Sequence, residues 1–252
     1  MGYNFDFASA LTPQAIGLLV SGAQTTISLS LAAILLGTLV GLLLGFLATV
    51  GAPTFAPLRR TMATAPASAT PLDLVLQALR IVTLAVIDIV RAIPLLLMVL
   101  LCYYAFPILF PSFDRTNVFV PCLVAFALNL GAFTGELVRA GVMALPPGSA
   151  LAARSLGLSP SQTWTHIVLP QIVRDILPAQ VVLFITIVKM STLASAVSLY
   201  EILHSGNAVI QQTYRPLEIY VAIGLFFVIV IVPFAMLARR LETVSVFRRR
   251  AL

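Results

Sequence analysis

Long apolar stretches separated by short polar ones dominate this sequence. No acidic or basic residue occurs between Asp6 and Arg59, and several later stretches are almost as poor in charge. A helix needs roughly 20 apolar residues to cross the hydrocarbon core of a bilayer. The pattern therefore predicts an all-α membrane protein with one transmembrane domain, residues 1–252. Its five spans are expected at about residues 15–50, 93–113, 118–138, 176–199 and 217–237.

The segments between the spans are polar or rich in proline. Residues 51–71 are crowded with Pro, Ala, Thr and Ser, which predicts a loop. Residues 73–91 carry apolar side chains at helical spacing, interrupted by charges, which predicts an amphipathic helix near the interface. We expect this helix to join the second span at Pro94. Residues 144–170 predict a further polar loop that contains short helices.

One face of the first span consists of small residues, because Ala33, Gly37, Gly41 and Gly45 recur at every fourth position. Small residues at this spacing share a helix face and let a second backbone approach closely, which favours helix association in lipid. The spacing therefore predicts that this face packs against another helix.

Composition agrees with a membrane protein, since 60% of the residues are hydrophobic and 10% are charged, against roughly 25% charged in an ordinary soluble domain. Cys102 and Cys122 lie inside apolar stretches and lack metal-ligand or redox spacing, which predicts buried small side chains. No basic stripe with interleaved aromatic residues indicates nucleic-acid binding.

The basic residues predict the orientation in the membrane. With the N-terminus outside, five spans place twelve of the fifteen Lys and Arg residues at or beyond the inner face, and only Arg115 and Arg215 outside. Because Lys and Arg are concentrated on the cytoplasmic side of membrane proteins, we expect the N-terminus outside and the C-terminus in the cytoplasm. Loop 144–170 is then cytoplasmic.

This cytoplasmic loop carries the most specific pattern in the chain. Two alanines are followed by a glycine, an isoleucine and a Leu-Pro pair, at Ala152, Ala153, Gly157, Ile167, Leu169 and Pro170. This spacing resembles that of a loop found in permease subunits of bacterial ABC importers, which has the form EAA-x3-G-x9-I-x-LP. The number of residues between the matched positions is the same at every step.

Three other segments resemble the polar amino-acid branch of that family. Residues 91–96 (RAIPLL), 131–139 (GAFTGELVR) and 189–193 (KMSTL) are similar to its RGTPLL, GAYxAExxR and KDTSL segments, in the same order along the chain. The resemblance covers roughly residues 86–200. It implies a five-helix permease subunit that moves amino acids or close analogues across the bacterial inner membrane by alternating access.

The resemblance also implies that the loop forms a coupling helix between spans 3 and 4 that docks on an ATPase. The residues concerned are Leu151, Ala152, Ala153, Arg154 and Gly157. Small alanines admit close packing, and a glycine can end the helix with positive φ. The family's Glu is replaced here by Leu151, which offers only apolar packing. The alternative is a loop that merely connects two spans.

The partners follow from the same resemblance. They are a homo- or heterodimeric permease partner, two cytosolic ABC ATPases that bind ATP and Mg, an extracytoplasmic substrate-binding protein and membrane lipid. The chain has no GxxxxGK[ST] motif, so ATP hydrolysis is expected in a separate subunit. We expect no cofactor, no metal and no enzymatic activity in this chain.

Polar residues inside the apolar spans are the candidates for the substrate passage. They are Lys189, Ser191 and Thr192 in the fourth span, and Asn129 and Glu136 in the third. A cation at mid-membrane costs at least about 2.5–3.5 kcal/mol, so Lys189 needs a partner or water. Glu136 is a possible counter-charge for Lys189 or for Arg139. These groups suit the zwitterionic end of an amino acid, but a structural ion pair that fixes helix register is the alternative.

Two other functions compete with that of an ABC permease. An intramembrane hydrolase needs a nucleophile and a base within reach, but the only histidines, His166 and His204, lie in predicted connections and no GxSxG motif occurs. A channel or secondary transporter for a small polar solute also suits polar groups at mid-membrane. It would need no ATPase, and no inverted repeat of the kind often found in secondary transporters is evident. In addition, Met190 replaces the Asp of the KDTSL segment, which favours neutral or acidic cargo over cationic cargo.

Overall fold

The computed structural model describes residues 4–49, 71–145, 148, 153 and 155–249, and for residues 160, 161, 164 and 243–249 it describes the backbone alone. Every regular element in these ranges is helical, as predicted. The α-helices are α1 (Phe7–Ala10), α2 (Pro13–Thr49), α3 (Pro71–Ala92), α4 (Leu95–Leu109), α5 (Phe119–Met143), α6 (Pro160–Thr163), α7 (Leu169–Met190), α8 (Ile202–Thr213) and α9 (Pro216–Arg249). A π-helical turn, Trp164–Val168, joins α6 to α7, and a 3₁₀ helix, Ser191–Val197, follows α7.

Four helical stretches in the described ranges are long and apolar enough to cross a membrane. They are Pro13–Thr49, Phe119–Met143, Thr165–Val197 and Pro216–Glu242. The bent pair of α3 and α4 supplies a fifth span if it is counted as one unit. The described ranges thus hold four to five candidate spans, a number that includes the five expected from the sequence.

The second span differs from its expected form. Helix α4 has 15 residues and ends at Leu109, so the regular part of the expected span 93–113 is shorter. It is bent by 103° from α3, because Pro94 disfavours helical geometry in the residue before it. The amphipathic helix expected over residues 73–91 is present as α3.

The fourth candidate span begins at Thr165, earlier than the expected residue 176, and the short helix α6 (Pro160–Thr163) precedes it within the loop that was expected to contain short helices. Ser159 and Gln162 form a reciprocal cap: the Ser159 N–H donates to Gln162 Oε1 at 2.9 Å and the Gln162 N–H donates to Ser159 Oγ at 3.2 Å. Pro170 and Pro178 do not interrupt the helix. In a regular α-helix the ring of Pro170 would clash with the carbonyl group of the preceding turn. A π-helical turn, Trp164–Val168, lies at that point, and its wider backbone relieves the clash.

Residue contacts divide the chain into two compact units. The first comprises Met1–Leu36, Ile93–Leu128 and Phe184–Leu237, and the second comprises Gly37–Ala92, Asn129–Leu183 and Ala238–Leu252.

The first unit has its core where α1, the start of α2, α8 and α9 meet. Its buried side chains are Ala10, Ala15, Ile202, Val209, Ile219 and Ile223. Polar contacts add to this core at the N-terminal segment. The Asp6 N–H donates to Glu218 Oε1 at 3.0 Å, and Arg215 forms ion pairs with the carboxylates of Asp6 and Glu218.

The second unit is built on close packing of α2 against α5. A Cβ atom added to Gly45 would lie 2.7 Å from Val138 Cγ1, and one added to Gly131 would lie 2.9 Å from Val40 Cγ1. Glycines on both helices thus face the other helix, which confirms the predicted packing role of the small-residue face. A second apolar cluster joins the end of α5 to the start of the fourth span through Val142, Val168, Ile172 and Ile176.

Candidate functional site

In the first unit, the candidate passage residues lie where α7 changes into the 3₁₀ helix. The Lys189 side chain is exposed at the end of α7, and Thr192 is half-buried one turn later. The Lys189 ammonium group forms no hydrogen bond or ion pair with another described residue. The ammonium group is therefore available to a solute, water or a partner chain.

The two hydroxyl groups next to Lys189 are engaged differently from what the sequence suggests. Ser191 is fully buried, and its hydroxyl donates to the Val188 carbonyl oxygen at 2.8 Å. The Thr192 hydroxyl donates to the Lys189 carbonyl oxygen at 3.1 Å. Both protons are thus used within the helix, so Thr192 retains only acceptor capacity towards a ligand, and Ser191 is closed to solvent in this conformation.

The turn that follows the 3₁₀ helix contains a residue that sequence reasoning missed. That residue is Glu201, which caps the N-terminus of α8. It follows Ser198, which adopts a left-handed conformation with φ +61°. The Glu201 carboxylate accepts hydrogen bonds from the backbone N–H groups of Leu203 at 3.0 Å and His204 at 2.8 Å. Glu201 is fully buried, and burial raises its pKa to about 7 against the opposing effect of hydrogen bonds from these N–H groups and from Thr26. The position of Glu201 just before a helical apolar pattern was the available signal.

In the second unit, Glu136 lies at the centre of a charged cluster. Arg139 binds it through two hydrogen bonds, from Nε at 2.8 Å and from Nη2 at 2.7 Å. The structure therefore assigns Arg139 as a counter-charge of Glu136, one of the two partners that the sequence allowed. Arg91 Nη1 lies 3.9 Å from Glu136 Oε2 and 3.9 Å from Asp88 Oδ1.

Arg91 is held more loosely than Arg139. Its guanidinium carbon lies 5.2 Å from the ring centre of Phe133, and its buried Nε atom has no hydrogen-bond partner among the described residues. Asn129 is half-buried and lies seven residues before Glu136 on α5. Since seven residues are close to two helical turns, Asn129 and Glu136 share one face of α5.

A buried amide in the second unit was also missed. Gln180 is 5% exposed, and its Nε2 donates to Thr134 Oγ1 at 3.0 Å. Its Oε1 atom is buried with no partner among the described residues. Both residues occur in apolar stretches, and nothing in their spacing reveals that they meet.

The candidate coupling segment is described in part. Leu151, Ala152 and Arg154 lie outside the described residues. Ala153 is helical and buried, Gly157 has φ +78° as the sequence predicts, and the Leu158 N–H donates to the Ala153 carbonyl oxygen at 3.2 Å. This six-residue closure with a left-handed glycine is a Schellman helix end. Among the residues that the structure describes, no group of three or more His, Cys, Asp or Glu side chains is placed to hold a metal ion.

Comparison with known proteins gives a family match. A family model described as "Binding-protein-dependent transport system inner membrane component" matches residues 75–250. The glutamine transport system permease protein GlnP of Escherichia coli (strain K12) is 29% identical over 238 residues, which cover 94% of this chain and 96% of that protein. The octopine transport system permease protein OccM of Rhizobium meliloti is 32% identical over 141 residues, 53% of this chain and 57% of that protein.

Solved structures of transporters are similar as well. A crystal structure of an amino acid ABC transporter with histidines has a TM-score of 0.74 and 26% identity, and the match covers 98% of this chain and 100% of that chain. The MetNI methionine ABC transporter in an inward-facing conformation has a TM-score of 0.66 and 18% identity over 92% of this chain and 99% of that chain, which shows a shared fold.

Proposed function

Because the chain belongs to the family of binding-protein-dependent transport system inner membrane components, we propose that it moves an amino acid or a close analogue across the bacterial inner membrane. It acts as a permease subunit of an ABC importer. The observation that carries the proposal is the family match over residues 75–250, which include both the candidate passage and the candidate coupling segment. Cargo of the amino-acid class is supported by the relatives, whose names specify glutamine and octopine.

The residues that we assign to the proposed passage are Lys189, Thr192, Ser191, Glu136 and Asn129. Lys189 offers an exposed ammonium group that can bind the carboxylate of an amino acid, and the Thr192 hydroxyl oxygen can accept a hydrogen bond from its ammonium group. Ser191 contacts cargo only if the 3₁₀ segment rearranges, because it is buried. Such a rearrangement is compatible with alternating access, in which two conformations expose the same site to opposite sides.

The proposed coupling element is the helix that ends at Gly157. A transporter driven by ATP needs a rigid part that transmits motion from the ATPase to the membrane helices. The Schellman closure at Gly157 supports that role. Leu151, Ala152 and Arg154 complete the proposed contact, and Leu151 would insert into an apolar part of the ATPase groove.

The proposed assembly contains a homo- or heterodimeric permease partner, two cytosolic ATPases and an extracytoplasmic substrate-binding protein. ATP and Mg are bound by the ATPases, and this chain contributes no catalytic residue. We further propose one transmembrane domain with the N-terminus outside and the C-terminus in the cytoplasm, supported by the placement of Lys and Arg.

Co-purification followed by ATPase assays tests this function. The chain is expressed with its ATPase, purified in detergent, reconstituted in vesicles and presented with the cognate binding protein and a panel of L-glutamine, L-histidine, L-methionine and octopine. We expect a stable complex whose ATP hydrolysis is stimulated by one class of these compounds. A chain that carries solute without binding any ATPase would instead be a channel or a secondary transporter.

A further inference from the structure

A buried carboxylate lies just after the proposed passage segment. Glu201 is 0% exposed and caps α8 through the N–H groups of Leu203 and His204. An ionised carboxylate in an apolar environment is costly unless it is paired or hydrogen-bonded. In the described part of the chain, no Lys or Arg forms an ion pair with it. Its partners are uncharged donors.

Glu201 connects two elements of the first unit. Thr26 on α2 is buried, and its hydroxyl oxygen accepts a hydrogen bond at 3.1 Å from the N–H of Ile202, the residue after Glu201. The same hydroxyl donates a hydrogen bond to the Glu201 carboxylate. A Cβ atom added to Gly22 would lie 3.0 Å from the Glu201 carbonyl oxygen. The backbone at Glu201 is therefore held against one face of α2 at two points, Gly22 and Thr26.

The same turn fixes the end of the passage segment. The Ser198 N–H donates to the Ser195 carbonyl oxygen at 3.0 Å, the Leu199 N–H to the Ala194 carbonyl oxygen at 3.2 Å, and the Glu201 N–H to the Leu199 carbonyl oxygen at 2.8 Å. The 3₁₀ helix that starts at Ser191 also packs against α4. A displacement of the turn at Glu201 would therefore move the start of this helix, next to Lys189.

We propose that Glu201 is a positioning residue of the cargo passage: its carboxyl group anchors the turn after the 3₁₀ helix to α8 and α2, and thereby sets the position of Lys189 and Thr192. This inference rests on the proposed function, since it concerns the same passage. Glu201 acts through the turn and does not touch cargo.

We expect the anchor to respond to pH near neutrality. Burial raises the pKa of Glu201 to about 7. Because this value exceeds the ordinary value of 4.5, the stability that Glu201 contributes is complete below pH 4.5 and is lost as pH rises through about 7. Among the described residues, the groups that bond its carboxyl group are the Thr26 hydroxyl of α2 and the backbone N–H groups of Leu203 and His204 in α8, and the His204 ring itself packs 4.5 Å from that of Tyr200.

Uptake of L-[³H]glutamine into vesicles that contain the complete importer tests the proposal from pH 6 to 8.5. In the wild type, the apparent KM is expected to change about threefold or more across this range because the protonation state of the anchor changes. Glu201→Gln is isosteric with the protonated form, so its KM should remain at the wild-type pH 6 value throughout. Glu201→Ala, which removes the cap, should raise the KM at every pH. His204→Gln is the control for the neighbouring titratable ring and should keep the pH dependence.

A Glu201→Gln variant with the wild-type pH dependence, or a Glu201→Ala variant with the wild-type KM, would overturn the proposal. Thermal unfolding of the purified complex in detergent gives a second readout that needs no cargo. The melting temperature of the wild type should fall relative to that of Glu201→Gln as pH rises from 5.5 to 8.5, and parallel curves would contradict the anchor. Absence of glutamine uptake in the wild type, with this thermal shift present, would refute glutamine as cargo and leave the anchor supported.

Discussion

Gly41 and Thr134 bring α2 and α5 into backbone contact. A Cβ atom placed on Gly41 would lie 2.7 Å from Thr134 Cγ2 and 2.8 Å from the Gly131 carbonyl oxygen. Neither the branched side chain nor the backbone of α5 can yield at low cost. Since two apolar helices gain no hydrophobic free energy from association in lipid, such close packing is what stabilises their contact.

Substitution Gly41→Ala should therefore destabilise the protein by about 1–3 kcal/mol, the usual cost of overpacking. The melting temperature of the purified protein in detergent measures this loss. Gly17→Ala on the same helix is the matched control, because a Cβ atom there meets nothing within 4 Å. Equal melting temperatures of the two variants would show that the contact with Thr134 is unimportant.

The small-residue face of α2 was predictable, but its partner was not. A repeat of small residues at every fourth position specifies one helix face, and the structure places Gly41 and Gly45 on it against α5. The sequence does not specify which of the other helices is packed there, because several contain small residues. Partner choice depends on the complete arrangement of side chains, including Val40 and Thr134.

The hydrogen bond from Gln180 to Thr134 should contribute to stability of the second unit. Thr134→Val keeps the shape of the side chain and leaves the Gln180 amide nitrogen without its acceptor. We expect a loss of about 0.6–2 kcal/mol, the range found for hydrogen bonds between membrane helices. A double-mutant cycle with Gln180→Leu isolates the pair. If the two losses were additive, the hydrogen bond would not contribute.

Gly157→Ala should weaken coupling to the ATPase. A residue with a Cβ atom at φ +78° costs roughly 1–2 kcal/mol, so the helix end should shift, and Gly157→Pro should be more severe. The expected result is loss of transport-stimulated ATP hydrolysis with membrane insertion unchanged. Gly148→Ala is the control, because a Cβ atom there meets nothing within 4 Å and its φ is not positive. Unchanged stimulation in both Gly157 variants would refute the coupling role.

Lys189→Ala should lower the rate of uptake while the complex still assembles. The side chain is exposed and its ammonium group bonds no other described residue, so its removal should cost little stability. Lys189→Arg keeps the positive charge and should retain more uptake than the alanine variant. The measurement is uptake per assembled complex in vesicles. Uptake at the wild-type rate in Lys189→Ala would assign Lys189 a structural role.

The start of the fourth span and one of the two arginine contacts of Glu136 could not be predicted from the sequence. The fourth span was expected from about residue 176, after a polar loop with short helices, yet the candidate span begins at Thr165, directly after the short helix that Ser159 and Gln162 cap. The pairing of Arg139 with Glu136 was predictable since the two lie one helical turn apart. The approach of Arg91 to Glu136 was not predictable, because it depends on how α3 packs against α5.

ATP-dependent uptake of L-[³H]glutamine into vesicles tests the central claim most directly. The chain is reconstituted with its permease partner, ATPase and binding protein, with ATP or a non-hydrolysable analogue on the ATPase side and all ion gradients dissipated. We predict accumulation only when hydrolysable ATP, the ATPase and the binding protein are all present. Uptake by the permease without the ATPase, driven by an ion gradient or by the solute gradient alone, would contradict the account.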